Sequence, residues 1–142
     1  MNRGRSQAGV TLIEMLIVMA IIGLIAGISF PSVSAGLESI QLRSAADSIA
    51  TFLTAAQSRA ERREQAIEVV ITPADSTLTL FSSEAGYTRR LVLEKNIKIS
   101  GEATQFLLLP GGAPPAIAID IFNSRGAHKS IRIDPVTGVP QT

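Results

Sequence analysis

The chain has no cysteine, no tryptophan and a single histidine, His128, and its aromatic residues are five phenylalanines and one tyrosine. Without thiols there is no disulfide and no thiolate metal site, so the fold must hold without covalent cross-links; this does not exclude an extracytoplasmic location. One histidine rules out a multi-histidine zinc centre and leaves a serine-type triad with one candidate base. The shortage of aromatic residues argues against a base-stacking surface. Charge of one sign is also lacking: the formal net charge is +1, so no strong global field draws the chain to nucleic acid or acidic substrates. The length of 142 residues suits one domain with one modest core.

What the chain does have is apolarity concentrated at one end. Mean hydropathy is +0.30, and the excess comes from Val10 to Phe30, an almost wholly apolar run that ends at Pro31. As a helix this run reaches roughly 30 Å, enough to cross a bilayer core. Arg3 and Arg5 precede it in a short polar segment, which keeps the N-terminus cytoplasmic and sends the rest of the chain across. A cleaved secretory signal is the ordinary alternative. Its apolar core is shorter, and a small-residue cleavage site follows it; here the small residue, Gly9, comes first, and Ser29-Phe30-Pro31 makes a poor cleavage site.

Glu14 breaks the apolar rule. A carboxylate in a spanning helix costs about 2.5–3.5 kcal/mol on insertion scales, so a functional reason is expected. A position at the membrane interface explains part of it. A cut after Gly9 supplies the rest, because Val10 then bears a new α-amino group one helical turn from Glu14. Gly23 and Gly27 form a Gly-x-x-x-Gly pair, which is either a surface for close helix approach or a chance pairing in a glycine-tolerant segment.

The stretch Arg5-Ser6-Gln7-Ala8-Gly9-Val10-Thr11-Leu12-Ile13-Glu14 resembles the processing site of type IV pilins and type II secretion pseudopilins. That resemblance implies cleavage between Gly9 and Val10 by a prepilin peptidase, N-methylation of Val10, and an assembly role for Glu14. Val10 departs from the family's usual phenylalanine but stays apolar. The resemblance covers about the first 31 residues.

Beyond Glu38 the pattern is that of an amphipathic helix to about Gln65. Leu42, Ala46, Ile49, Leu53, Ala56 and Ala60 recur every three or four residues, with Arg43, Asp47, Thr51, Ser58 and Arg62 opposite. With no proline between Ser32 and Ala66, this helix is expected to continue the membrane helix. The mixed charges from Arg59 to Glu64 read as a solvated helix end. After Gln65 the period becomes two. Ile67, Val69 and Ile71, the turn Pro73-Ala74-Asp75, then Leu78 and Leu80 predict a hairpin. Further strands are expected over residues 89–94, 97–100, 105–109, 116–122 and 130–134, separated by glycine and proline turns, with residues 110–115 as a loop. The expected fold class is α+β: a long N-terminal helix, membrane-spanning in its first half, packed on an antiparallel β-sheet head. The expected organisation is a leader over residues 1–9, a transmembrane or filament-core helix over 10–31, and a periplasmic head over 32–142.

More narrowly, Ala56-Gln57-Ser58-Arg59-Ala60 followed by a Val/Ile strand, and Ile119 to Phe122, Gly126, Ile131 to Ile133 and Thr137-Gly138 near the end, resemble the GspH/FimT type of minor pilin. This implies a structural subunit near the tip of a type II secretion pseudopilus. The other open readings are a minor type IV pilin serving pilus assembly or DNA uptake, and a membrane-anchored enzyme. The partners implied are other pseudopilins or pilins, the prepilin peptidase/methyltransferase, and an inner-membrane assembly platform.

Residue chemistry gives an enzyme little to work with. His128 is read as a loop residue beside Gly126 and Lys129; Asp120 and Asp134 are read as solvated strand carboxylates. Gly111-Gly112 lacks the lysine and helix start of a phosphate loop. The tail Asp134-Pro135-Val136-Thr137-Gly138 offers one carboxylate, too few oxygen ligands for calcium. No cofactor or metal is expected. Arg125, His128, Lys129 and Arg132 form a local basic cluster. If they share a face they can meet phosphates; otherwise they are a polar rim on a hairpin.

Overall fold

A computed structural model describes residues 10–82, 86–113, 115–134 and 136–141, with the side chains of residues 30–32 left aside. The leader, including Arg3, Arg5 and Gly9, lies outside the described residues. The chain forms two compact units, Met1–Leu37 and Glu38–Thr142. Helix α1, Leu12–Arg63, contributes to both.

In the first unit the helix is apolar on every side. Each large apolar side chain from Val10 to Ile28 is at least 45% exposed. Among the described residues nothing covers this surface, and a helix that is hydrophobic all round belongs in lipid or among other helices. It is long and apolar enough to cross a membrane.

In the second unit α1 becomes one-sided. Leu42, Ala45, Ala46, Ile49, Leu53, Ala56 and Ala60 are buried, and Arg43, Asp47, Thr51 and Arg62 are exposed. The predicted stripe is the observed one. Three of its side chains are nearly or fully enclosed alanines (Ala46, Ala56, Ala60).

The helix ends in a hydrogen-bonded cap. The Gln65 N–H donates to the Ala60 carbonyl and the Glu64 N–H to the Glu61 carbonyl. This is the paired arrangement of a Schellman cap, with Glu64 at φ 52° in the left-handed position usually held by glycine. The strands follow: β1 (Ile67–Thr72), β2 (Thr77–Ser82), β3 (Thr88–Val92), β4 (Ile97–Ile99), β5 (Thr104–Leu108), β6 (Ala118–Asn123), β7 (His128–Ile133) and β8 (Pro140–Gln141).

They form two antiparallel four-stranded sheets, ordered β3-β2-β1-β5 and β4-β6-β7-β8. The predicted hairpin is β1–β2, with Val69 opposite Leu80 and a short 3-10 turn at Pro73–Asp75. One buried cluster joins the helix stripe to Ile67, Val69, Ile71, Leu78 and Leu80 of the first sheet. The same cluster takes in Ile97, Ile99, Ile119, Ile121, Ile131 and Ile133 of the second.

Three details differ from the sequence pattern. Strand ends move by up to two residues, and β8 was not anticipated. Thr77 and Thr79, which alternate with Leu78 and Leu80, are nonetheless 9% and 7% exposed. β2 lies between β1 and β3, where Thr79 is flanked by Val70 and Arg90. Neighbouring side chains on both sides therefore shield a small residue that periodicity alone would leave outside. His128 opens β7, exposed and opposite Phe122, and is not a turn residue.

Two substitutions test this description by thermal melting. Glu64→Gly removes a left-handed conformational cost and is expected to stabilise the head by about 1 kcal/mol. Ile49→Ala empties a fully buried site in the shared cluster and is expected to cost about 2–5 kcal/mol.

Candidate processing and assembly site

Val10, 61% exposed, and Thr11 precede the first helical residue, Leu12. The Thr11 hydroxyl accepts a hydrogen bond from the Glu14 N–H at 3.3 Å, and the Thr11 carbonyl accepts one from the Met15 N–H at 3.2 Å. Thr11 is therefore the N-cap and Glu14 the third helical residue, the Thr-x-x-Glu spacing of a capping box. The sequence reading gave Glu14 an assembly role and missed this local one, although the four-residue pattern is its signal. An acidic group in the first turn also sits where the helix dipole favours negative charge. The cap explains why the chain at Val10 is not yet helical: the bond that Gly9 makes with Val10 lies ahead of the first helical turn. Gly9 itself is outside the described residues.

Gly23 and Gly27 lie in the exposed apolar stretch, and a Cβ at either meets nothing within 4 Å. Nothing among the described residues requires glycine there.

The C-terminal basic residues do not act as one group. Arg125, in the β6–β7 turn, places Nε 3.1 Å from Glu38 Oε1, and the Ser124 hydroxyl donates to Glu38 Oε2 at 3.2 Å. Alternation along β7 puts Lys129 on the side of buried Ile131 and Ile133, with His128 and Arg132 on the other. Asp120 shares the outer face, because it lies opposite Ser130.

Asp134 is not a plain solvated carboxylate. Its Oδ1 accepts N–H bonds from Val136 and Thr137, and its Oδ2 accepts one from the Gln141 amide. The Thr137 and Val136 backbone donors stabilise the charged form and hold its pKa below the ordinary carboxylate value. This loop brings Gly138, at φ 71°, against Gln57 of α1, where a Cβ would overlap the side-chain amide. The carboxylate thus shapes a turn that docks on the helix.

Among the described residues no group of three or more His, Asp or Glu side chains is placed to hold a metal ion. An open groove of about 580 Å³ runs between α1 and β3, lined by Ile40, Arg43, Asp47, Phe52, Arg89 and Leu91. It holds one carboxylate and no histidine, which is not an acid–base pair.

The Asp134 contribution has a definite sign. A lowered folded-state pKa adds stability that is present above the unfolded value and is lost as the pH falls through the folded value. The melting-temperature advantage of the natural chain over Asp134→Asn is expected to shrink as the pH drops from about 5 to about 2. A pH-independent difference between the two melts is the contrary result.

A family model for the prokaryotic N-terminal methylation motif matches residues 4–30. No curated protein and no solved structure gives a significant match to the chain. The matched span contains the Gly9–Val10 junction, the Thr11 cap, Glu14 and the exposed apolar helix. The motif supports a type IV pilin-like protein: a structural subunit processed by a prepilin peptidase and assembled with other pilins.

Proposed function

We propose that the chain is a minor pseudopilin of the GspH/FimT type, placed near the tip of a type II secretion pseudopilus. The observation that carries the reading is the helix from Leu12 to Ile28, apolar on all sides and capped by Thr11, directly after the Gly9–Val10 junction. In this reading the precursor sits in the inner membrane with Arg3 and Arg5 on the cytoplasmic side and the head in the periplasm. Cleavage after Gly9 frees the Val10 amine, which becomes methylated. The helix then passes from lipid into a filament core, exchanging one apolar environment for another. An unpaired charge in an apolar filament core is costly, so Glu14 pairs with a Val10 amine and sets the axial register. Gly23 and Gly27 let neighbouring helices approach. The β-rich head selects neighbours.

The split of Arg125, Lys129 and Arg132 between an ion pair and two strand faces favours this structural role over phosphate binding. A groove without paired catalytic groups favours it over an anchored enzyme.

The first test is intact-mass and N-terminal analysis of the protein from membranes with and without the prepilin peptidase. A chain that begins at methylated Val10, and is blocked by a bulky substitution at Gly9, is the expected result. A Met1 start in the presence of the peptidase, or a cut beyond Phe30, overturns the reading. Glu14→Ala is expected to be processed normally yet to enter filaments at least about tenfold less well, because its loss leaves a buried amine without its counter-charge. Quantitative immunoblotting of sheared filaments measures this.

A further inference from the structure

β3 is a margin of its sheet, with β2 as its one strand neighbour among the described residues. The hairpin register fixes which of its backbone groups are used. The Leu93 N–H donates to the Ser76 carbonyl and the Ser82 N–H to the Tyr87 carbonyl. Between them the pairing keeps one register, with Leu78 opposite Leu91 and Leu80 opposite Arg89. Bonded and unbonded pairs alternate along an antiparallel ladder. Arg89 and Leu91 therefore bond to β2, and the N–H and C=O groups of Thr88, Arg90 and Val92 face the open side. No other backbone hydrogen bond reaches these three among the described residues.

The open groove of about 580 Å³ lies along this margin, and β3 is the one strand among the described residues that lines it. The side chains of Arg89 and Leu91 share the face of their partners Leu80 and Leu78, which are 1% and 0% exposed. Leu91 suits that face. Arg89 does not, because it puts a guanidinium where the core pattern calls for an apolar side chain, and it stands exposed in the groove. Arg43 lines the same groove from α1. Among the described residues neither arginine has an ion-pair partner. An arginine stem can cover apolar surface while its head stays in water, but that accounts for the stem alone.

We propose that this margin and groove together dock an extended segment of a partner protein, one that carries a carboxylate side chain between apolar ones. The segment adds a strand to β3, and its main chain bonds to Thr88, Arg90 and Val92. Its residue opposite Arg89 then falls in an unbonded pair, where facing side chains approach most closely, and its carboxylate meets the guanidinium. The residue two positions along shares that face and packs into the apolar part of the groove, beside Leu91 and Phe52. Charge decides the occupant. A second copy offering its own β3 would bring the Arg89–Arg90 pairs of both chains into one ladder, so the margin rejects itself while it accepts an acidic strand. Asp47 is the one carboxylate of the groove, and a smaller cavity that continues past Leu91 ends at Glu94. The partner's acid therefore belongs at the Arg89 end. This inference concerns the head alone and holds whichever filament the chain joins.

The probe is a displayed library of randomised heptapeptides, selected on the full-length chain in lipid nanodiscs and counter-selected on empty nanodiscs. Enriched peptides are expected to carry Asp or Glu with apolar residues two positions away, and no proline between them. Synthetic copies are expected to bind at least about tenfold more weakly to Arg89→Gln and to Ala55→Trp, the second of which fills the groove from α1. They are expected to bind unchanged to Leu107→Gln on β5, the opposite margin of the same sheet. All three positions are exposed, and the melting temperatures of the variants are expected to match that of the natural chain. Methylating alternate backbone nitrogens of the peptide is expected to abolish binding in one phase and spare it in the other, as strand addition requires. No enrichment over empty nanodiscs, enriched peptides without an acid, binding indifferent to Arg89→Gln, or equal weakening by Leu107→Gln each overturns the proposal.

Discussion

The structure depends on one unmet demand: the side chains from Val10 to Ile28 have no core of their own to enter. Every residue of the buried cluster lies at or beyond Leu42. Apolar surface left in water costs about 25 cal/mol per Å², and the first half of α1 exposes it on all sides. Lipid or the helices of other chains must cover it. The features around this segment make sense under that demand. Thr11 caps the helix start, where backbone donors would otherwise be left without acceptors. Glu14 stands in the first turn, where the dipole offsets part of the cost of a carboxylate. The glycines at positions 23 and 27 meet nothing inside the chain, so any packing reason for them lies outside it.

The second half of α1 answers to a different environment. Its apolar side chains narrow to a stripe, and the stripe is rich in alanine. The stripe and both sheets share one buried cluster, which holds the head together without disulfides. Polar contacts then fasten successive positions of the helix to the turns of the head. Glu38 meets Arg125 and Ser124, Gln41 meets Asn96 at 2.6 Å, and Gln57 meets the loop shaped by Asp134. These groups look like candidate chemistry when read singly. In the structure they are partners in fastening the helix to the turns of the head.

Much of this was legible in the sequence, for a physical reason. Segment-level properties depend on neighbours three, four or two residues away. The apolar run, the stripe Leu42 to Ala60, and the alternation Ile67-Val69-Ile71 each announce their element without knowledge of the rest of the fold. The Thr11–Glu14 cap was equally local, its signal being the Thr-x-x-Glu spacing, although the sequence reading gave Glu14 only its membrane and amine-pairing roles. Glu64 as a left-handed cap residue was not legible, because nothing but the hydrogen bonds from Glu64 to Glu61 and from Gln65 to Ala60 distinguishes this end from any other charged helix end.

Whatever required two distant segments to meet was left to tertiary structure. The burial of Thr77 and Thr79 follows from β2 being flanked on both sides. The dispersal of Arg125, Lys129 and Arg132 follows from an ion pair spanning most of the head and from the pleat of β7. The role of Asp134 follows from a turn that has to reach Gln57. The open margin of β3 exists only once the order β3-β2-β1-β5 is known. By itself the sequence determined where the chain needs lipid or other helices and which faces of its helix and strands seek a core, because hydrophobic periodicity is a local code. Only the folded structure decided which charges are already engaged and which strand edge stays open, because pairing depends on contacts between residues far apart in the chain.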